Sequence, residues 1–345
     1  MLQIYTIQDA DKWDNIVKTF KDYDVYWLSG YVKAFQIHGD GEPLLFYYED
    51  ENVKGINVVM KRDIAKDKHF ENILEPNKYY DFATPYGYGG WLIEGENSKQ
   101  LFIDYEQWCK NNNIVSEFVR FHPVVDNQRF SVNSYEVIPL GQTIALDLSS
   151  KDVIWDNITS KNRNVIRKAI KNGVKIYSSR NIEIYKKFIG IYNATMDKDN
   201  ADKYYYFGED FYKSILYDLK HNAQVFYAEL DDGTIIATSI MIYANGRMNY
   251  HLSGSLREYQ NLAPSNLLLY EAALWGNANG YKTLHLGGGV GSGEDSLYKF
   301  KSAFNRNSNY RYHIGKKVFL QDEYQKLVSS RKEIQSEFFP KYRAD

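Results

Sequence analysis

The sequence predicts an α+β (α/β) protein of two tandem domains, each a mixed, mainly antiparallel sheet flanked by helices. Three observations predict it. A run of turn-linked strands, then one helix and one strand, occupies the second half; the first half repeats that order; and Trp108 and Trp275 fall at matching points of the two.

In the second half, QVFYAEL reads as a strand, DDG as a hairpin turn, TIIATSIMIY as a second strand, and ANG as a turn into RMNYHLSGS. PSNLLLYEAALWGNANG follows as a helix, with Pro264 in its first turn, Leu267, Leu268, Glu271, Ala272 and Trp275 at helical spacing, and Gly280 ending it. The short strand KTLHL completes the unit. In the first half the corresponding pieces are LLFYYED, INVVMKRDI, YYDFATPYGYGG, the helix ENSKQLFIDYEQWCKNN and the strand IVSEFVRF. The stretch from Trp108 to Arg120 aligns with Trp275 to Gly287 at one fixed offset, helix end followed by strand.

Helical segments precede the second meander: TSKNRNVIRKAIKNG, capped by Thr159 or Ser160 and closed by Gly173, then NIEIYKKFIGIYNATM and EDFYKSILYDLKHN. Helix, helix, three antiparallel strands, helix, strand is the order of the GNAT acyltransferase fold. The sequence divides into an N-terminal domain over 1–145 and a C-terminal domain over 146–345, the latter closed by a helix from Leu320 through QDEYQKLVSSRKEIQSEFF.

Composition narrows the function. The chain has no apolar run long enough to span a bilayer, and its start, MLQIYTIQDADKWD, lacks the basic and apolar regions of a signal peptide, so a cytoplasmic protein is expected. The single cysteine, Cys109, excludes an internal disulfide and a cysteine metal cluster, and is read as a buried thiol. Residues 1–150 carry 14 Lys/Arg against 23 Asp/Glu and the remainder 28 against 21, which favours an anionic ligand on the C-terminal side. The overall charge of −2 argues against DNA and against simple RNA binding, since phosphate contacts supply most such affinity.

The stretch LGGGVGSGEDSLYKFKSAFN holds five glycines in the seven residues from Gly287. It is not a dinucleotide fingerprint, because no start gives Gly at i, i+2 and i+5. It is not a phosphate loop either: Gly288 and Gly293 have the right separation, but Glu294 and Asp295 follow and would repel phosphates. In the helix that comes next, capped by Asp295 or Ser296, Leu297, Phe300 and Phe304 form an apolar stripe that includes Lys301, while Lys299 points away. Lys301 either lays its methylenes along the core with its ammonium at the surface, or holds that ammonium at the floor of a cleft; spacing does not decide between them.

Three segments, DFATPYGYGG (Asp81 to Gly90), SKNRNVIRKAIKNGV (Ser160 to Val174) and LGGG…SLYKFKSAF (Leu286 to Phe304), resemble the Fem-type branch of the GNAT superfamily. That branch comprises peptidyltransferases of peptidoglycan cross-bridges and related N-acyltransferases of surface polysaccharides. The resemblance implies an active cleft between the halves, with Phe300 and Lys301 stabilising the acyl-transfer intermediate and Tyr86 and Tyr88 beside the acceptor. Tyr204, Tyr205 and Tyr206 resemble a further aromatic segment of the family, with a hydrophobic anchor between helices as the other reading. Arg163 and Arg167 are the candidate anion contacts on a helix whose opposite face carries Val165, Ile166, Ala169 and Ile170.

Strand alternation places Asn249, His251, Ser253 and Ser255 on one face of RMNYHLSGS, where a GNAT acyl donor commonly lies; His251 is the candidate base and Ser253 a candidate donor contact. Asp81, Glu94 and His285 are weaker candidates by proximity to these motifs. The Gln/Arg-x-x-Gly-x-Gly/Ala pattern of CoA-binding GNATs is missing from SLREYQNLAPSNLL, leaving the helix start at Ser265 and Asn266 as the phosphate contact. The long coiled-coil arm of some cross-bridge enzymes is absent as well. The resemblance implies N-acylation of an amine on a lipid- or nucleotide-linked envelope precursor, with acyl-CoA or aminoacyl-tRNA as co-substrate and no tightly bound cofactor or metal. The alternative is a catalytically silent module that binds a nucleotide-sugar or RNA.

Overall fold

The computed structural model describes residues 1–331 and 336–345. The chain forms two compact units, one of residues 1–140 and 312–345, the other of residues 141–311. The first is therefore discontinuous.

Unit 1 opens with β1 (Leu2–Tyr5), α1 (Ala10–Val17) and α2 (Ser29–His38), followed by β2 (Glu42–Glu49), β3 (Val53–Asp63), β4 (Tyr80–Ala83), β5 (Leu92–Gly95), α3 (Lys99–Asn111) and β6 (Ile114–Arg120). The strands β2, β3 and β4 pair antiparallel in sequence, and β6 returns parallel to β4 after α3, as a helical crossover requires. The strand β7 (Glu136–Asp147) leads into unit 2, which contains α4 (Lys151–Asn157), α5 (Ser160–Lys171), β8 (Lys175–Ser179), α6 (Ile182–Lys198), α7 (Glu209–Tyr217), β9 (Ala223–Glu229), β10 (Ile235–Ala244), β11 (Arg247–Ser255), α8 (Pro264–Ala278), β12 (Thr283–Gly287) and α9 (Ser296–Ser302). Here β9, β10 and β11 form the antiparallel meander and β12 lies parallel to β11. The expected duplicated unit is present in both halves.

The two tryptophans occupy equivalent packing positions. Trp108 on α3 meets Phe46 of β2 at 4.8 Å, and Trp275 on α8 meets Phe226 of β9 at 5.5 Å, each an edge-on contact between the crossover helix and the first meander strand. Turn chemistry sets the hairpins: Gly233 sits at φ 83°, and Asn245 and Gly246 both have positive φ, the backbone that a two-residue hairpin turn requires.

The chain returns to unit 1 through β13 (Tyr310–Val318), which pairs antiparallel with β6, and α10 (Gln321–Ser329). This corrects the expected C-terminal domain of 146–345, since the tail packs in unit 1, where Tyr324, Leu327 and Tyr342 form a core cluster with Ile64, Phe70 and Val115. The expected closing helix is also shorter, ending at Ser329; its stretch over 332–335 lies outside the described residues.

The tail is held by charge as well as packing. Asp81, fully buried, accepts from Arg343 Nε at 2.6 Å, Arg62 Nε at 2.8 Å and Tyr342 Oη at 3.0 Å. Burial alone would raise its carboxyl, and the two guanidiniums more than offset that, holding it below the usual carboxylate range. Asp81 is thus a structural anchor of unit 1. Cys109 is fully buried in the unit 1 core, as expected of a structural thiol. No helix among the described residues is long and apolar enough to cross a membrane.

Candidate active site

The glycine loop serves to seat a lysine. Asp295 caps α9 by accepting from Tyr298 N at 2.8 Å, and its other oxygen accepts from Val290 N at 3.1 Å, so one carboxylate ties the loop to the helix. The glycines permit contacts that side chains would block: a Cβ on Gly289 would lie 2.2 Å from the Gly293 carbonyl oxygen, and one on Gly141 would lie 1.9 Å from that of Ser292. With the loop folded this way, Lys301 is buried, 8% exposed, and its Nζ donates to the Gly288 carbonyl oxygen at 2.7 Å. Burial pushes its pKa down to about 8, against a smaller opposing pull from the Asp295 carboxylate.

The buried stripe of α9 differs from the expected one. Leu297 is 38% exposed and Phe300 only partly buried, its ring 5.5 Å from Phe304, while Lys301 and Phe304 face inward. Tyr298, whose N–H is capped by Asp295, donates from its hydroxyl to Gln142 Oε1 at 3.0 Å, and these two bonds hold α9 in the rotation that puts lysine rather than leucine on the inner face.

A β-bulge changes the faces of β11. Met241 pairs with Tyr250 and Ile240 with Leu252, leaving His251 as the extra residue. Asn249 consequently shares a face with Leu252, opposite to the one that carries Ser253 and Ser255, which corrects the expected single row of four. Desolvation pushes the His251 pKa down to about 3, so the imidazole is neutral and poorly matched to accept a proton near neutral pH.

Pairing of β11 with β12 ends at Asn249 and His285, although β11 runs on to Ser255 and β12 to Gly287. At the corresponding place in unit 1 the chain fills its own fork: Thr84 N donates to the Phe118 carbonyl oxygen at 3.0 Å, Gly89 N to that of Arg120 at 2.8 Å, and Gly89 bridges Phe121. The PYGYGG turn thus continues the sheet of unit 1. Tyr86 stacks on Phe35 at 5.5 Å and Tyr88 lies edge-on to Tyr26 at 5.4 Å and to Tyr312 at 5.9 Å, forming a half-buried aromatic wall.

Arg163 and Arg167 converge on Trp155, with guanidinium carbons 5.9 and 5.1 Å from its ring. Arg163 also faces Asp156 at 3.8 Å, which offsets its charge, while Arg167 bonds Asn164 Oδ1 at 3.0 Å. The inner face of α5 is Asn162, Ile166 and Ala169, and Ile170 is 53% exposed, a rotation from the expected face. Tyr205 lies at the surface and Tyr206 donates to Asp197 Oδ1 at 2.8 Å; the buried anchor of that segment is Phe207, stacked on Phe211 at 4.3 Å. At the start of α8, Ser265 is partly buried and Asn266 donates to Asn162 Oδ1 at 2.8 Å. Glu94 pairs with Lys54 at 2.9 Å, and His285 is buried on β12. A groove of about 770 Å³ in unit 1, lined by Lys99, Glu106, Phe130 and Lys317, contains none of the expected site residues. Sequence reasoning missed Asn162 and Trp155; the signal for Asn162 was its spacing of four and seven to Ile166 and Ala169.

The sequence matches the family described as acetyltransferase (GNAT) domain over residues 160–302, the segment that ends one residue beyond Lys301. No curated protein matches the sequence. Among solved structures, FemX superimposes with a TM-score of 0.68 at 14% identity, covering 94% of this chain and 99% of that one. L-PGS from Bacillus licheniformis gives 0.56 at 14% identity, covering 89% and 91%. A tandem GNAT protein from the clavulanic acid biosynthesis pathway gives 0.50 at 8% identity, covering 92% and 99%. Residues 160–302 therefore match the GNAT acetyltransferase domain family, within a chain that shares its overall fold with FemX and with a tandem GNAT protein.

Proposed function

We propose that the protein transfers an acetyl or aminoacyl group from acyl-CoA or aminoacyl-tRNA to an amine of a cell-envelope precursor, an amino sugar of a surface polysaccharide or a peptidoglycan peptide. The buried Lys301 ammonium carries this reading. As the amine attacks the donor carbonyl, negative charge develops on its oxygen; one N–H of Lys301 is committed to Gly288 and two remain to stabilise that oxyanion. A desolvated ammonium with a pKa of about 8 is a stronger hydrogen-bond donor than an ordinary lysine and acts through a low dielectric. The intermediate then collapses: the bond from the carbonyl carbon to the donor's sulfur or oxygen breaks, the proton lost by the attacking nitrogen passes to that leaving atom, and the amide and the donor's free thiol or hydroxyl are released.

The open fork beyond Asn249 and His285 suits a donor whose amides add along β11 like a strand, with Ser253 beside it and the start of α8 at Ser265 and Asn266 for its phosphates. In this reading Tyr86 and Tyr88 are acceptor contacts, Tyr205 and Tyr206 further substrate contacts, and Arg163 and Arg167 hold an anionic portion of a substrate. Phe300 shields Lys301 from water. His251 contributes a neutral imidazole. The GNAT domain match and the fold shared with FemX and L-PGS support acyl transfer, and the envelope acceptor and a cytoplasmic setting belong to the same proposal.

Labelled acetyl-CoA or glycyl-tRNA, incubated with amine-bearing envelope precursors, tests the reading. Wild-type protein forms the amide and Lys301→Ala, folded by circular dichroism, does not. Full turnover by that variant overturns the assignment, and a wild-type protein that retains ligand without forming product is a binding module.

A further inference from the structure

Three helices meet at one side chain. Asn162, only 3% exposed, lies in the first turn of α5. Its Oδ1 accepts from Asn266 Nδ2, in the first turn of α8, at 2.8 Å, and its Nδ2 donates to the Ala303 carbonyl oxygen at 3.4 Å. That carbonyl closes α9, two residues after Lys301. It is also gripped by Thr159, whose N donates at 3.0 Å and whose hydroxyl donates at 3.3 Å. The chain just beyond is tied to the same turn, with Arg306 N on the Asn157 carbonyl oxygen at 3.2 Å and Asn307 Nδ2 on Asn157 Oδ1 at 2.7 Å.

We infer that Asn162 is a positioning residue for Lys301: its amide locks the end of α9 to the start of α8, so that the lysine's depth is set from the helix start assigned above to donor phosphates. This rests on the acyltransferase reading for its consequence, though its geometry stands apart from it. A carboxamide suits the task because it offers a donor and an acceptor at once, and a buried amide that loses either partner is costly. Removing it frees α9 to tilt outward, water reaches Nζ, and the desolvation that sets the state of Lys301 is relieved.

Competitive labelling of the full chain with trace acetic anhydride, read by mass spectrometry of the peptide containing Lys301 across pH 6 to 11, tests this without any substrate. The wild-type midpoint is expected near 8. In Asn162→Ala and in Asn162→Leu, which keeps the volume, the midpoint rises by about half a unit or more toward the ordinary lysine value. A midpoint that stays at the wild-type value in whichever variant folds, with only the melting temperature lowered, overturns the inference and leaves Asn162 a packing residue. If the midpoint moves while Lys301→Ala keeps its turnover, the acyltransferase assignment of Lys301 falls and the positioning link stands. If Lys301→Ala is inactive and the midpoint does not move, the reverse holds.

Discussion

Lys301 Nζ donates to the carbonyl oxygen of Gly288, 13 residues earlier, at 2.7 Å. This bond converts a flexible surface residue type into a fixed buried cation, and its loss should be felt in chemistry before it is felt in stability. Lys301→Met is expected to lower turnover by roughly 10²–10³-fold, the range for removing one oxyanion donor, with little change in KM.

The pH dependence follows from the same residue. Its folded pKa is about 8 against 10.5 when unfolded, so the ammonium proposed to stabilise the oxyanion is lost as pH rises through 8, and activity is expected to decline on the alkaline side. Stability moves the other way. Between 8 and 10.5 the unfolded chain binds more protons, so the cost of burying the charge, full below 8, is relieved as pH rises. Urea titrations should show Lys301→Met at least as stable as wild type at pH 7, by up to roughly 3 kcal/mol, with the advantage vanishing toward pH 10.5.

His251 titrates far below neutrality, near 3 against 6.5 unfolded. Between those values the unfolded state takes up a proton that the native state refuses, so stability falls as pH drops from 6.5 to about 3. His251→Gln should flatten that part of the acid unfolding curve. It should also cost far less than the roughly 10²–10⁴-fold that loss of a general base brings, and a loss of that size would restore a base role to His251.

The glycines of the loop are not interchangeable. Gly289→Ala forces a Cβ 2.2 Å from the Gly293 carbonyl oxygen and 2.4 Å from Asp295 Oδ1, so it should unseat the cap, lower the melting temperature and abolish turnover. Gly291 has φ 59° with open space around it, so Gly291→Asn should cost only about 1 kcal/mol in thermal unfolding, that of a left-handed backbone alone.

Arg343→Leu removes the guanidinium that binds Asp81 at 2.6 Å and Asp67 at 2.7 Å, leaving a fully buried carboxylate with one guanidinium, that of Arg62, and the Tyr342 hydroxyl. A loss of roughly 3–5 kcal/mol is expected in denaturant titrations. Because the Asp81 pKa is depressed in the native state, its contribution in wild type is present above the unfolded carboxylate range and is lost as pH falls below it.

Much of this molecule was legible in the sequence, and the failures have local causes. The meanders, crossover helices and loop glycines were readable because Pro264, Gly233 and Asn245-Gly246 each impose one backbone geometry. The inward side of α9 was misjudged because periodicity favours Leu297 over Lys301, whereas the Asp295 cap acts together with the contact of Tyr298 to Gln142, 156 residues away, and the latter leaves no local pattern. On β11 the alternation failed at His251 because a bulge adds one residue without marking the sequence. The edge strand β8 and the return of β13 to β6 were missed for a related reason: pairing partners far apart in the chain leave no short-range pattern.

The return of β13 and the tail to unit 1 dictates an order of assembly. On the ribosome, residues 141–311 emerge as one continuous stretch and can close their core at once, whereas residues 1–140 must wait for residues 312–345 to arrive. Until then β6 presents a bare edge and Asp81 has no Arg343, so a prematurely terminated chain offers an unprotected strand to other nascent chains. Residues 312–345 thereby guard the quality of the folded product, shielding the edge of β6 and neutralising Asp81.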